Sequence, residues 1–225
     1  MIKREMYLKK IRGLYDSELI KIIVGVRRSG KSVLLKQIID ELLEKGIQDD
    51  HIVYINFEDY DYIEYTDPKK FNQFIKEQIK DKDKYYLLFD EFQNVRDFER
   101  VINSFRATLN VSIFVTGSNS KVLSSDLSTY LAGRYVSIKM MPFTFKEYLL
   151  LQEQNGIKSN LDEAFLEYVE WGGMPQIYNT TNLEERKMYL TDLYNTAILK
   201  DIVERHSIKN VNLLNRIIQF IMENI

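Results

Sequence analysis

ELIKIIVGVRRSGKSVLL, residues 18–35, runs three local patterns together without a break. Residues 18–24 are apolar and rich in β-branched side chains, which predicts a buried strand despite Lys21. From Lys31 to about 45, Val33, Leu34, Leu35, Ile38, Ile39, Leu42 and Leu43 recur at helical spacing, and Gly46 is a sensible stop. Between strand and helix lies GVRRSGKS, residues 25–32, which satisfies G-x-x-x-x-G-K-[ST] in full. Glycines let such a loop turn its amides inward around phosphates, and the helix N-terminus adds partial positive charge. The candidate binding residues are therefore Gly25, Val26, Arg27, Arg28, Ser29, Gly30, Lys31, Ser32 and Val33. Lys31 is expected to reach the β and γ phosphates of a nucleoside triphosphate, ATP, while Ser32 supplies a hydroxyl to Mg2+.

Outward from this loop, strands and helices alternate. An amphipathic helix is expected over 2–11, and strands over 51–57, 85–89, 111–115 and Tyr135–Met140. Helices are expected over 69–80, 97–109 and 121–131. Alternation of short buried strands with helices predicts an α/β fold with a parallel sheet covered on both faces. After Pro142 the pattern turns helical, with helices over 143–153, 161–172 and a long one over 184–204. Two domains are thus expected, a P-loop core over 1–141 and a helical lid over 142–225. Residues 211–225 carry an apolar stripe that needs a partner, and the expectation is that the chain is the front portion of a longer protein.

A second chemical element is YYLLFDE, residues 85–91. A buried strand would deliver Asp90 to its C-terminal end, the edge where open α/β sheets bind ligands. Asp90 is the candidate for the Mg2+ shell, and Glu91 is placed to orient or deprotonate an attacking water. TGSNS ends the next strand, making Ser118, and after it Asn119, candidates for contact with the γ phosphate; both also suit an ordinary polar turn. Arg134 precedes the fifth strand, as a solvated edge residue or as an arginine finger offered to a neighbouring subunit. The acidic, aromatic stretch EDYDYIEYTD reads as a solvated linker or a partner-contact loop.

Composition leaves some classes without support and excludes others. The 225 residues carry 31 basic and 33 acidic side chains, a net charge of -2, which gives no support to a nucleic-acid or anionic-membrane partner. No cysteine is present, so disulfides, zinc-thiolate sites and thiol catalysis are out. Only His51 and His206 offer imidazole. The charged N-terminus lacks the apolar core of a signal peptide, and no stretch approaches the roughly 18 apolar residues of a membrane span. Cytoplasm is the expected location.

Taken together, IKREMYL at 2–8, IVGVRRSGKSVLL at 23–35, LLFDEFQ at 87–93, FVTGSNSKVLSSDLSTYLAGR at 114–134, MPFTFKEYLL at 141–150 and WGGMP at 171–175 resemble a prokaryotic group of AAA+ P-loop ATPases. In that group an AAA-type domain precedes a C-terminal domain of unclear role. The resemblance covers essentially the whole chain. It implies strand order 5-1-4-3-2, Lys31 and Ser32 as nucleotide and Mg2+ ligands, and Asp90 with Glu91 as the hydrolytic pair. It also implies Ser118 or Asn119 as γ-phosphate sensor, Arg134 as a finger acting in trans within a homo-oligomer, and Asn56 as a polar residue restraining the glutamate. Lys3, Arg4 and Tyr7 fall where the N-terminal segment of similar proteins lies near the base. Relatives usually continue past residue 225, through a winged-helix-like lid into a further domain.

The expected function is Mg-dependent ATP hydrolysis coupled to movement of the helical lid and a partner domain. The alternative is a nucleotide-dependent switch or scaffold with slow or no turnover. Small-molecule kinase activity is disfavoured because the lid region offers no arginine cluster, and GTP is disfavoured because no N-K-x-D run occurs.

Overall fold

The computed structural model describes residues 1–118, 131–158, 160–199, 202–203 and 206–224. Two compact units divide the chain, Met1–Gln176 and Ile177–Ile225.

In the first unit β1 (Ile20–Gly25), β2 (Ile52–Asn56), β3 (Tyr85–Asp90), β4 (Val111–Ser118) and β5 (Tyr135–Met140) form one sheet in the order β2-β3-β4-β1-β5. All four pairings are parallel. This is the order 5-1-4-3-2 read from the other edge. Among the described residues its α-helices are α1 (Glu5–Ile11), α2 (Lys31–Glu44), α3 (Pro68–Gln78), α4 (Phe98–Thr108), α5 (Phe145–Gln154) and α6 (Leu161–Trp171).

Strand parity explains why both faces are covered. Ile20, Ile22 and Val24 of β1, Tyr85, Leu87 and Phe89 of β3, and Val111, Ile113 and Val115 of β4 pack with Phe71 and Ile75 of α3 and Ile102 and Phe105 of α4. The intervening Ile23, Tyr86, Leu88 and Phe114 pack with Tyr7, Leu8 and Ile11 of α1 and Leu34, Leu35 and Ile38 of α2. A strand buried on both faces needs apolar residues throughout, which is why 85–89 reads YYLLF. Lys21 is tolerated in β1 because its ammonium reaches Ser112 Oγ at 2.7 Å and the Ser17 carbonyl at 3.0 Å.

Two expectations for this unit need correction. The N-terminal helix starts at Glu5 rather than residue 2, because Gln37 of α2 takes the backbone there: its Nε2 donates to Ile2 O at 2.7 Å and its Oε1 accepts from Arg4 N at 2.9 Å. The stretch expected as a solvated linker forms a 3-10 helix, Tyr60–Thr66, capped by Asp59. Tyr62 and Tyr65 pack against the core there, Tyr65 4.3 Å from the Phe74 ring, while Tyr60 faces solvent. The acidic residues masked an apolar register that only the α3 surface reveals. The expected helix 121–131 lies outside the described residues, apart from Leu131.

The second unit contains α7 (Leu183–Leu193) and α8 (Val211–Glu223), capped by Asn182 and Asn210. The single helix expected over 184–204 is not continuous as an α-helix, since Tyr194–Leu199 winds as a π-helix. Tyr194 OH donates to Asn215 Oδ1 of α8 at 3.2 Å, a tertiary bond that periodicity along one segment cannot show. Among the described residues no helix is long and apolar enough to cross a membrane.

Candidate nucleotide site

At the C-terminal edge of the sheet β1 hands the chain to the loop before α2. Gly25 packs there so closely on the end of β5 that a Cβ would lie 2.3 Å from Met140 O. Gly30, with φ +98°, turns the chain into α2 in a conformation that favours glycine, and Arg28 takes φ 62° without that freedom. The loop therefore carries a left-handed residue on each side of the buried Ser29. Lys31, only 4% exposed, extends its Nζ to 3.3 Å from both Gly25 O and Val26 O. The same ammonium stands 3.7 Å from Glu91 Oε1.

Asp90 ends β3 and is buried. The Thr116 hydroxyl donates to its Oδ1, and Tyr54 OH donates to its Oδ2 at 3.2 Å. Thr116 Oγ1 also accepts from Glu91 N at 3.0 Å. One hydroxyl on β4 thus fixes the carboxylate of Asp90 and the backbone of Glu91 together. Glu91 itself adopts φ 50°, and Gln93 Nε2 donates to its Oε2 at 2.5 Å. Burial, then the neighbouring Asp90 charge, pushes the Tyr54 phenol well above its ordinary range, so it stays a donor.

The loop, Glu58 and Glu91 face one cleft of ≈ 610 Å³, lined by Arg27, Arg28, Gly30, Lys31, Ser32, Val33, Glu58 and Glu91, with Gln93, Asn94, Pro175 and Gln176 closing it, and Asp90 is buried beneath Glu91 at the end of β3. Cations on the loop side oppose carboxylates on the β2 and β3 side. Glu58 has its carboxyl pushed up by burial first, then by the Glu91 and Asp90 charges, against the pull of Arg27 and Lys31.

The other sequence candidates stand as follows. Asn56 ends β2 in register with Asp90, but its Oδ1 accepts from Glu58 N at 3.1 Å, so it shapes the turn carrying Glu58. Ser118 ends β4 in register with Gly25, a backbone placement on the loop side of the sheet. Asn119 lies outside the described residues. Arg134 is exposed, immediately before β5, with Nη1 3.2 Å from Asn103 Oδ1. It sits at the N-terminal edge of the sheet, about 20 Å along β5 from the loop. Lys3 pairs with Glu41 at 3.0 Å, Tyr7 OH accepts from Met141 N at 2.8 Å, and Arg4 touches the loop directly at Ser29 O, 3.0 Å away.

Thr116, Tyr54, Gln93 and Glu58 were not among the sequence candidates. Parity was the available signal for the first two, since Tyr54, Asp90 and Thr116 fall on the α2 side of three adjacent strands.

A family profile described as an AAA domain matches residues 17–149, more than half the chain. The chain belongs to the AAA family. A second profile, a domain of unknown function, matches residues 162–225. An uncharacterised protein of Haemophilus influenzae is 37% identical over 226 residues, covering 100% of this chain and 56% of that protein. One from Methanocaldococcus jannaschii is 36% identical over 199 residues, covering 85% of this chain and 44% of that protein. The chain thus spans about half the length of the curated relatives it matches. Among solved structures, a Walker-type ATPase of Pyrococcus abyssi superposes with TM-score 0.55 at 15% identity, covering 99% of this chain and 76% of that one. AMPPCP-bound DnaA of Aquifex aeolicus gives 0.52 at 17%, covering 96% and 68%. These two share the fold. As an AAA-type P-loop ATPase fold, the first unit presents the cleft expected to take nucleotide.

Proposed function

We propose that this AAA protein binds Mg-ATP in the cleft and hydrolyses it, with Glu91 as the base. The observation that carries the reading is the convergence of Lys31, Asp90 and Glu91 at one sheet edge, with Thr116 tying the two carboxylate residues together. The donor set suits Mg2+: Ser32 offers a hydroxyl and Asp90 a carboxylate, hard oxygens with lone pairs beyond those that Thr116 and Tyr54 engage. When bound, Mg2+ supplies charge neutralisation at the phosphate oxygens.

The chain's own residues do the rest. Loop amides and Lys31 hold the phosphate tail, and Lys31 exchanges its loose carbonyl contacts for phosphate oxygens of opposite charge. Glu91 takes the proton of the attacking water as its oxygen bonds the terminal phosphorus and the bond to the bridging oxygen breaks. Thr116 fixes the Glu91 backbone, so the carboxylate approaches from a defined direction. Arg134 is too far along β5 to reach its own loop, which favours action on a nucleotide held by a second copy. The helices after β5 would follow the nucleotide state, with residues 142–225 acting as lid.

A slow switch is the competing reading, favoured by one observation. Gln93 and Lys31 both engage Glu91, contacts that must be broken before its carboxylate can take a proton from water.

Nucleotide trapping tests the proposal. Wild-type protein incubated with Mg-ATP and freed of excess nucleotide is expected to carry ADP, and Glu91→Gln to carry intact ATP. Intact ATP on both proteins would support the switch, and no nucleotide on either would end the proposal.

A further inference from the structure

Arg4 heads the fully buried side chains among the described residues in size, 1% exposed, yet it is a cation from the N-terminal segment. Its guanidinium joins three stretches distant in sequence. Nη1 donates to Ser29 O in the phosphate loop at 3.0 Å. Nη2 donates to Met141 O at 2.7 Å and Pro142 O at 3.4 Å, where the chain leaves β5. Nε forms an ion pair with Glu147 Oε1 of α5 at 2.9 Å, close enough for Coulomb attraction but not aligned as a hydrogen bond. The flat group stands 5.1 Å from the ring centres of Tyr7 and of Phe143.

Packing alone does not call for such a group, because a buried charge costs several kcal/mol unless it is paired, and an apolar side chain of similar volume would fill the space. What the guanidinium adds is a rigid fork with several donors, able to fix separate backbone segments relative to one another. One of those segments is the loop itself, at the residue between the left-handed Arg28 and Gly30. The others lead directly into the helices after β5. Phe143 N donates to Gly173 O at 2.7 Å, Tyr168 OH of α6 donates to Phe143 O at 2.7 Å, and Trp171 ends α6 two residues before Gly173.

We infer that Arg4 is a positioning residue that sets the shape of the phosphate loop and relays a nucleotide-dependent shift at Ser29 to α5 and α6. The inference rests on the reading that nucleotide occupies the loop. A ligand that redirects the Ser29 carbonyl changes one of the guanidinium's bonds. The guanidinium itself is buried and keeps its 2.7 Å bond to Met141 O and its ion pair with the buried Glu147, so the change is passed to these residues rather than absorbed by solvent.

Trp171 is the single tryptophan and reports on this end of α6. The test is its fluorescence in the full chain during titration with Mg-ATP, with affinity measured separately by equilibrium dialysis. Wild-type protein is expected to bind ATP and change its emission. Glu147→Gln keeps a side chain able to complete the Thr144 capping box but removes the charge facing Arg4. It should bind ATP within about twofold of wild type, a change of under ~0.5 kcal/mol, and lose most of the emission change. Arg4→Lys keeps the charge without the fork, and should weaken binding about tenfold as well as lose the response. Emission that does not move in wild type at saturating ATP, or that moves fully in both variants, overturns the relay alone. Wild-type protein that binds no ATP overturns the nucleotide reading and the relay with it.

Discussion

Lys21 is the second residue of β1, fully buried, with its ammonium 4.5 Å from the Phe114 ring centre. Burial lowers its pKa from 10.5 to about 7, helped by the Lys84 charge and opposed by Asp16. Between these values the unfolded chain holds the proton and the folded chain does not, so stability rises with pH by up to about 1.4 kcal/mol per unit. The penalty is complete below about pH 7. Lys21→Met should flatten this slope and raise stability near neutral pH, as read from urea melts at pH 7 and pH 9. A slope unchanged in the variant would remove Lys21 as its source. Thr116 carries a different load, since both Asp90 and Glu91 lean on one hydroxyl. Thr116→Val keeps the shape and strands a buried amide and a carboxylate oxygen, at a cost of about 1–3 kcal/mol in the same melts. The larger effect is expected on ATP turnover, which should fall even where the variant is fully folded.

Elements were legible in proportion to how local their causes are. The strand Tyr135–Met140 was read with its observed bounds, and β1 to β4 within a few residues; burial on both faces writes apolar runs into β1 and β3, while β5, at the sheet edge, exposes Ser137 and Lys139. The loop was equally plain, as its glycines and lysine are adjacent. Thr116 and Tyr54 reach Asp90, and Glu58 reaches the cleft, through the pairing of β2 with β3 and β3 with β4, a non-local fact that no single segment states. For the same reason the π-helix at Tyr194–Leu199 and the core-facing side of Tyr60–Thr66 escaped detection. The helix-on-sheet packing makes its own prediction. Phe105 of α4 is fully buried and meets Phe71 of α3 at 5.4 Å between ring centres. Phe105→Ala should cost about 3–5 kcal/mol in urea melts, while Tyr60→Ala on the exposed turn should be near neutral.

At the scale of the molecule, the parallel sheet sets two groups of residues apart along its strands. The phosphate loop and both carboxylate residues gather at the C-terminal edge, and Arg134 stands at the opposite one. A protein built this way completes its chemistry by assembly if the arginine serves a neighbour. Mixing Arg134→Ala with Glu91→Gln should then restore part of the turnover that each lacks alone, because a mixed pair contains one site with an intact base and a neighbour's intact arginine. No recovery on mixing would remove Arg134 as a residue acting on a neighbouring site.

The central claim is that the cleft cleaves ATP through Glu91, and the most direct measurement is phosphate release from Mg-ATP across a wide range of protein concentration, beside Glu91→Gln. The account predicts turnover that rises per subunit with concentration and falls about 10²–10⁴-fold in the variant, with ATP binding retained. ATP bound without phosphate release at any concentration, or a variant as fast as wild type, would contradict it.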